Sequence, residues 1–311
     1  MGCLAEERFP NPVVLRAESD GMTLGLALFN RRRGGLHLSE SGEASLDAPF
    51  VEHNAPLIDD GIAVDLLPAL MQAAWAAGGV SHMALSGVPP AVAGAAGGWA
   101  WRRHEHVAPR VDLDAIRAAG GDYLARLSAN TRQQIRRSLR AYAAQGALRM
   151  DRAASIGEAT DWLDALAALH GQTWQARGKV GAFANPFMLR FHRALIRRGL
   201  PRGEVELLRA RVGERVIGYL LNLRRGGWVC AYQSGCDLAA AGRDERPGII
   251  CHVLAIEQAL RLGERVYDFL AGDDRYKRSL GTDEARLVWQ RSLRTRWFVR
   301  GHTELAPLAA M

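Results

Sequence analysis

Residues 268–277 read Asp-Phe-Leu-Ala-Gly-Asp-Asp-Arg-Tyr-Lys. Asp268 closes a short apolar stretch, so its carboxylate stands at a strand end, where it can order or deprotonate a nucleophile directly or through water. A structural pairing with a nearby arginine is the alternative. Asp273 follows Gly272 and suits the N-cap of a helical turn. On that turn Tyr276 can protonate a leaving group or simply pack its ring, and Lys277 adds a compact, three-donor ammonium suited to a phosphate or to charge developing at a confined point. Further upstream, His170, Trp174 and Arg177 fall at i, i+4 and i+7 and share one helical face. His170 can act as a base near neutrality. Core packing is the competing role for both His170 and Trp174.

A second constellation is the loop Gly242-Arg243-Asp244-Glu245-Arg246-Pro247-Gly248, which runs into an apolar helix over 248–262. A loop feeding backbone N–H groups into a helix N-terminus can hold a pyrophosphate. Pro247 suits the first helical position, the backbone of Gly248 and Ile249 allows close approach, and Arg243 and Arg246 can pair with phosphate oxygens or face water.

The elements around these residues follow from hydrophobic periodicity and turn signals. Residues 12–17 and 22–29 read as a hairpin, 64–77 as an amphipathic helix closed by Gly78-Gly79, and 80–85 and 99–107 as strands. Arg31-Arg32-Arg33 before Gly34-Gly35 reads as a hairpin tip. Past Asp112 the texture is more helical: 132–145, 155–177 and 187–198 are helices, with 148–152 a short strand. Residues 204–212, 215–223 and 228–234 form a meander, with Tyr232 and Gln233 on opposite faces of its third strand. The helix over 248–262 and an apolar strand over 266–270 follow, and 287–299 closes the chain with strands carrying Trp289, Trp297 and Phe298.

A meander followed by a loop, a helix and a strand, together with four stretches in order, resembles a known family. The stretches are 127–137 (Leu-Ser-Ala-Asn-Thr-Arg-Gln-Gln-Ile-Arg-Arg), 169–178 (Leu-His-Gly-Gln-Thr-Trp-Gln-Ala-Arg-Gly), Arg246-Pro247-Gly248 and 267–277. They resemble the GNAT acetyltransferases of the CelD-like, cellulose-biosynthesis-associated family, related to the FemAB peptidoglycan aminoacyltransferases. The resemblance spans 112–291, with Asp-Phe-x-x-Gly-Asp-x-x-Tyr-Lys its most specific element. It implies an α/β (α+β) fold of tandem GNAT-like domains, each a mixed, mostly antiparallel twisted sheet flanked by helices. The first, residues 1–111, is degenerate, and the second, 112–311, is catalytic.

The activity implied is transfer of an acetyl or longer acyl group from acyl-CoA to a primary amine, on an amino sugar or lipid precursor of an envelope polysaccharide. In such a site Tyr232, Gln233, Arg243, Arg246, Gly248 and Ile249 contact the cofactor. Trp174, Arg177 and Asp273 contact the acceptor, and Asp268, Tyr276, Lys277 and His170 do the chemistry. The third meander strand would donate a backbone N–H to the thioester oxygen. The usual Gln/Arg-x-x-Gly-x-Gly/Ala loop is reduced here to Arg243 and Gly248 with a proline between. The alternatives are a FemAB-like transferase using aminoacyl-tRNA and a non-catalytic module binding a nucleotide or anionic polymer.

Composition bounds these expectations. The chain has 311 residues, 48% hydrophobic and 23% charged, with mean hydropathy −0.11, as in a globular protein of ordinary make-up. The net charge is +7, and of the 40 basic residues only Lys179 and Lys277 are lysines. The basic face of Arg132, Arg136, Arg137 and Arg140 is a solvated surface, an acceptor-phosphate contact or a peripheral contact with an anionic membrane; nucleic acid is no partner in the leading interpretation. Cys3, Cys230, Cys236 and Cys251 lack CxxC spacing, so neither a zinc site nor a disulfide framework is expected. With no apolar leader and no run of 18 apolar residues, the expectation is a cytoplasmic protein, peripheral at most at the inner membrane face.

Overall fold

A computed structural model describes residues 4–294, so Cys3, Trp297 and Phe298 lie outside the described residues. The chain divides into two compact units: residues up to His106 with those from Arg286 onward, and Val107–Ala285.

The first unit holds α1 (Ala5–Arg8), β1 (Pro12–Ser19), β2 (Met22–Arg32), β3 (Gly35–Leu38), β4 (Leu57–Ile58), α2 (Ala63–Ala76), β5 (His82–Val88), α3 (Pro90–Ala95) and the start of β6 (Trp99–Asp112). The tip at Arg33-Gly34 joins β2 to β3. β3 is four residues long and wholly buried, too short for its periodicity to announce it. The sheet runs β1-β2-β3-β5 and then β12 (Asp283–Leu293), with β4 beside β2. β3 and β5 are parallel and the other pairs antiparallel. Phe29, Leu36, Leu38, Met83, Leu85 and Val288 pack with Met71, Ala74, Val92 and Ala93 of α2 and α3. That core lies on one side of the sheet. α3 sits where the sequence shows only weak patterning, because Pro90 at its first turn and Gly94 blur the periodicity.

The second unit adds α4 (Leu113–Ala118), α5 (Ala129–Ala143), β7 (Leu148–Arg152), α6 (Ile156–Ala176), α7 (Pro186–Gly199), β8 (Val205–Val212), β9 (Arg215–Arg225), β10 (Trp228–Cys236), α8 (Pro247–Arg261), β11 (Val266–Asp268) and α9 (Arg275–Leu280). Helix starts follow side-chain capping: the Ser128 hydroxyl accepts from Thr131 N, and Ser155 from Glu158 N, while Glu158 Oε2 accepts from Ala154 N. The sheet order is β6-β11-β10-β9-β8-β7. Only β10 and β11 pair in parallel among the described strands of this unit. Ile135 and Tyr142 of α5 and Ile250, Val253 and Ile256 of α8 bury against Leu208, Leu220, Val229 and Tyr267. Each unit is thus a mixed, mostly antiparallel sheet flanked by helices.

The helix α6 crosses β10 at backbone contact. A Cβ on Gly235 would lie 2.3 Å from the Leu166 carbonyl oxygen and 3.0 Å from its Cα. No rotamer change relieves a clash with backbone, so Gly235→Ala should destabilise the protein by about 1–3 kcal/mol. Urea unfolding checks this; an unchanged midpoint would show that the helix can back away freely.

Three imidazoles are buried neutral. Burial, aided by Arg291, lowers His37 to about 4. Burial lowers His192 to about 4 against the opposing Met188 carbonyl, and burial with Lys277 lowers His252 to about 3. The unfolded chain therefore takes up protons that the folded one refuses as pH falls below the ordinary histidine value of about 6.5. Stability is full well above that value and is lost from about 6.5 down to about 4 for His37 and His192 and about 3 for His252, by up to about 1.4 kcal/mol per pH unit for each fully buried imidazole. Glu40 and Glu257, raised by burial, act in the opposite sense. Urea unfolding at pH 6.5 and 5.0 should give a lower free energy at pH 5.0; equal values would refute the imidazole account.

Candidate functional site

The site begins where two strands part. β10 and β11 pair from Trp228–Val266 to Cys230–Asp268 and no further, while β10 continues along β9 to Cys236. One residue later β10 carries a bulge: Ala231 faces Asn222 and Gln233 faces Leu221, leaving Tyr232 as the extra residue. A bulge bends and twists its strand, and here it turns β10 away from β11. Tyr232 is buried, its ring 5.4 Å from that of His192, and Gln233 is half-buried. His192 in turn donates from Nδ1 to the Met188 carbonyl at 2.7 Å.

On the other side of the parting, β11 ends at Asp268 in a turn held by two side chains. Asp268 is fully buried and its Oδ1 accepts from Leu270 N at 2.6 Å. Leu270 adopts φ +62°, unfavourable for a residue with a Cβ. Lys277 reaches back from α9 to donate to the Ala271 carbonyl at 2.8 Å and the Leu270 carbonyl at 3.4 Å. Its ammonium fills the crook of the turn, 2.9 Å from where a Gly272 Cβ would be. Lys277 therefore clamps the turn with the compact, rotatable donors that a flat guanidinium lacks. The expected cap is displaced by one residue: Asp274 occupies the N-cap of α9, and the exposed Asp273 pairs with Arg278 at 2.5 Å.

Tyr276 stacks on His252, with centroids 5.5 Å apart and planes 18° from parallel, and meets Phe269 edge-on. His252 Nδ1 lies 2.9 Å from the Tyr267 hydroxyl. Burial, then the charges of Asp274 and Cys236, push the Tyr276 phenol upward, so it stays protonated. His252 was not among the residues singled out from the sequence. The one signal for it there is the polar pair Cys251-His252 interrupting an otherwise apolar helix. Cys251 is buried and its thiol is raised by contact with Cys236 and by burial. Fifteen residues separate the two cysteines, so only the tertiary structure pairs them.

The loop before α8 is pinned at three consecutive residues. Asp244 pairs with Arg137 at 2.7 Å, and Glu245 takes Arg215 at 2.5 Å and Gln145 at 2.6 Å. Arg246 N donates to Ser138 Oγ at 3.0 Å. Burial would raise the Glu245 carboxyl, but the bonds from Gln145 and Arg215 outweigh it and hold it low. Arg246 is the N-cap of α8, which receives no side-chain capping bond. Arg243 and Arg246 are exposed; the Arg246 guanidinium donates to the Arg243 and Glu245 carbonyls, at 3.4 and 3.3 Å. Gly248 and Ile249 form the first turn, and a Cβ on Gly248 would meet only Cys236 Sγ, at 3.8 Å. Uncapped N–H groups, an open backbone and two exposed cations suit a phosphorylated ligand.

His170 has a different setting from the one expected of a base. Nδ1 donates to the Ser234 carbonyl at 3.1 Å and Nε2 accepts from Ala182 N at 3.3 Å, so both ring nitrogens are committed and the imidazole ties α6 to β10. Burial lowers its pKa, against the opposing Ser234 bond. Trp174 is half-buried rather than core, with Arg177 and Lys179 each 5.7 Å from its ring centroid. Arg177 itself is exposed. The structure thus gathers Asp268, Tyr276 and Lys277 around one turn, and Tyr232, Gln233 and His170 along β10. Arg243, Arg246, Gly248 and Ile249 come together at the start of α8. Among the described residues no group of three or more His, Cys, Asp or Glu is placed to hold a metal ion, and no helix is long and apolar enough to cross a membrane.

Similar architectures occur among solved structures. FemX superposes with a TM-score of 0.62 at 11% identity, covering 94% of this chain and 90% of its own. The C-terminal DUF2156 domain of an Agrobacterium fabrum protein named for lysylphosphatidylglycerol synthetase gives 0.55 at 14%, covering 90% and 84%. L-PGS from Bacillus licheniformis gives 0.54 at 11%, covering 92% and 84%. At these identities the likeness is one of fold. No curated protein sequence matches the chain. Residues 129–278, which run from the start of α5 through the pinned loop to the turn clamped by Lys277, match the family described as acetyltransferase (GNAT) domain. Just under half of the chain, residues 129–278, is thus similar to GNAT-type acetyltransferase domains.

Proposed function

We propose that the protein is an N-acyltransferase that moves an acyl group from acyl-CoA to a primary amine, of the kind borne by an amino sugar or lipid precursor of an envelope polysaccharide. The observation that carries this is the parting of β10 from β11 beside the uncapped start of α8. An extended acyl-pantetheine arm fits between diverging strands, and its pyrophosphate fits the N–H groups of Gly248 and Ile249 with Arg243 and Arg246 beside them. The bound thioester supplies an activated acyl carbon. The amine attacks that carbon as the free base, the C–S bond breaks, the Tyr276 hydroxyl gives its proton to the departing thiolate, and the proton shed by the attacking nitrogen returns through water to the Tyr276 oxygen. Burial keeps the Tyr276 phenol protonated at neutral pH, so the proton is present for the thiolate to take. Asp268 and Lys277 act as positioning residues that hold the turn carrying Tyr276.

A second interpretation takes the donor to be an aminoacyl-tRNA. It is favoured by the likeness to FemX and L-PGS and by the exposed Arg136, Arg137 and Arg140 of α5, the helix to which Arg246 is bonded through Ser138. That donor predicts binding that weakens steeply with salt.

Thermal-shift titration separates the two. CoA, acetyl-CoA or a longer acyl-CoA should raise the melting temperature, by an amount equivalent to about 2.7 kcal/mol at a hundredfold excess over Kd. No shift with any of them, alongside salt-sensitive tRNA binding, would overturn acyl-CoA dependence. For the assigned proton donor, Tyr276→Phe keeps the ring on His252 and removes only the hydroxyl. It should lower kcat by about 10²–10⁴-fold with KM for the donor little changed; an unaltered kcat would remove Tyr276 from the chemistry.

A further inference from the structure

The first unit contains a cavity of about 220 Å³ lined by Leu85 and Ser86 of β5, Arg102 and His104 of β6, and Trp289, Gln290 and Arg291 of β12. All seven belong to that unit, so the site is independent of the acyl-transfer interpretation. The cavity opens at a fault in the sheet: Val288 faces Val88 and Gln290 faces Leu85, so Ser86 and Gly87 together oppose Trp289. Gly87 takes φ +61°, and a Cβ there would meet the Val51 carbonyl oxygen at 2.5 Å. The bulge is therefore built in, and it separates the strands where the cavity lies.

Strand alternation sorts the side chains. Val288 faces the apolar core and Gln290 bonds the Ala93 carbonyl of α3. Trp289 and Arg291 point to the opposite side of the sheet, with Arg102, His104 and His106. His104 stacks on Trp289, with centroids 5.9 Å apart and planes 7° from parallel, and His106 meets the same indole edge-on at 5.2 Å. Arg291 lies 3.4 Å from His37 Nδ1. Among the described residues neither Arg102 nor Arg291 is ion-paired with a carboxylate, whereas Arg8, Arg16, Arg32 and Arg103 of the same unit each are. Glu40 is half-buried and bonded to Ser86; burial raises its carboxyl, with the charge of Arg291 opposing. His37, lowered by burial and by Arg291, stays neutral and leaves the positive field to the guanidiniums.

We propose that this cavity binds a small phosphate monoester carried on a ring, with the phosphate between Arg102 and Arg291 and the ring against the Trp289–His104 wall. Two guanidiniums match the charge of about −1.5 to −2 on such a phosphate, and a flat aromatic wall accepts either a base or the apolar face of a sugar. The volume lies below the roughly 300–1,000 Å³ of pockets for drug-sized ligands, so the ligand is a small phosphate ester no larger than a mononucleotide rather than an extended cofactor.

Isothermal titration of the full chain with uridine 5′-monophosphate, glucose 1-phosphate, uridine, glucose and inorganic phosphate tests this. At least one of the two phosphate esters should bind saturably, and which one tells a base-bearing ligand from a sugar. Its unphosphorylated partner and inorganic phosphate should bind at least tenfold more weakly. Arg102 is exposed, so Arg102→Gln should leave the melting temperature of the free chain unchanged while weakening the ester at least tenfold. Arg225→Gln, on the surface of the other unit, should bind as the parent does. Absence of saturable binding by both esters, equal binding of inorganic phosphate, or undiminished binding by Arg102→Gln would each overturn the proposal.

Discussion

After Cys230 and Asp268 the two parallel strands of the second unit stop exchanging hydrogen bonds, and nearly every other feature of the site serves to hold that gap at one shape. A parted ladder costs backbone hydrogen bonds, so both lips must be held by other groups. On the β10 side the bulge at Tyr232 redirects the strand, and His170 bonds the Ser234 carbonyl. Gly235 lets the backbone of α6 approach closely enough for that bond to form. On the β11 side Asp268 and Lys277 satisfy the N–H and C=O groups of a turn that contains a strained Leu270. Strain of this kind persists only where the surroundings over-determine the conformation, which is common at functional sites.

Charge fixes the loop before α8. Asp244, Glu245 and Arg246 anchor the loop before α8 to α5 and β9, and that anchoring leaves the helix start uncapped and the side chains of Arg243 and Arg246 outward. A helix start already held in place pays little ordering entropy when a ligand arrives. Aromatic packing plays the corresponding part behind the turn. Tyr267, Phe269, Tyr276 and His252 form one cluster, and the buried neutral imidazole lets a polar residue sit in the core of α8 without a charge.

The long elements were legible in the sequence because their periodicity and punctuation agree. Helices α5, α6 and α8 and the three strands of the meander carry apolar spacing, capping hydroxyls and terminal glycines, all local signals. The four-residue β3 and the Pro-Gly-interrupted α3 were not, because too few residues repeat for a pattern to emerge. Within the site, the Asp268–Lys277 run and the loop before α8 were visible as motifs. Their division of labour was not: Lys277 clamps carbonyls and Asp274 takes the N-cap expected of Asp273. His170 spends both nitrogens on backbone bonds.

What the sequence by itself determined is the set of elements, their order and the residue types offered at each strand end, since these depend on contacts within a few residues of one another. Only the tertiary structure decided which of those residues meet. The bulge at Tyr232 depends on a register with β9, the Cys236–Cys251 contact on the packing of α8 against the sheet, and the cavity at Trp289 on a strand some two hundred residues earlier in the chain. Register and packing are long-range, set by how whole faces bury against one another, and no local spacing encodes them.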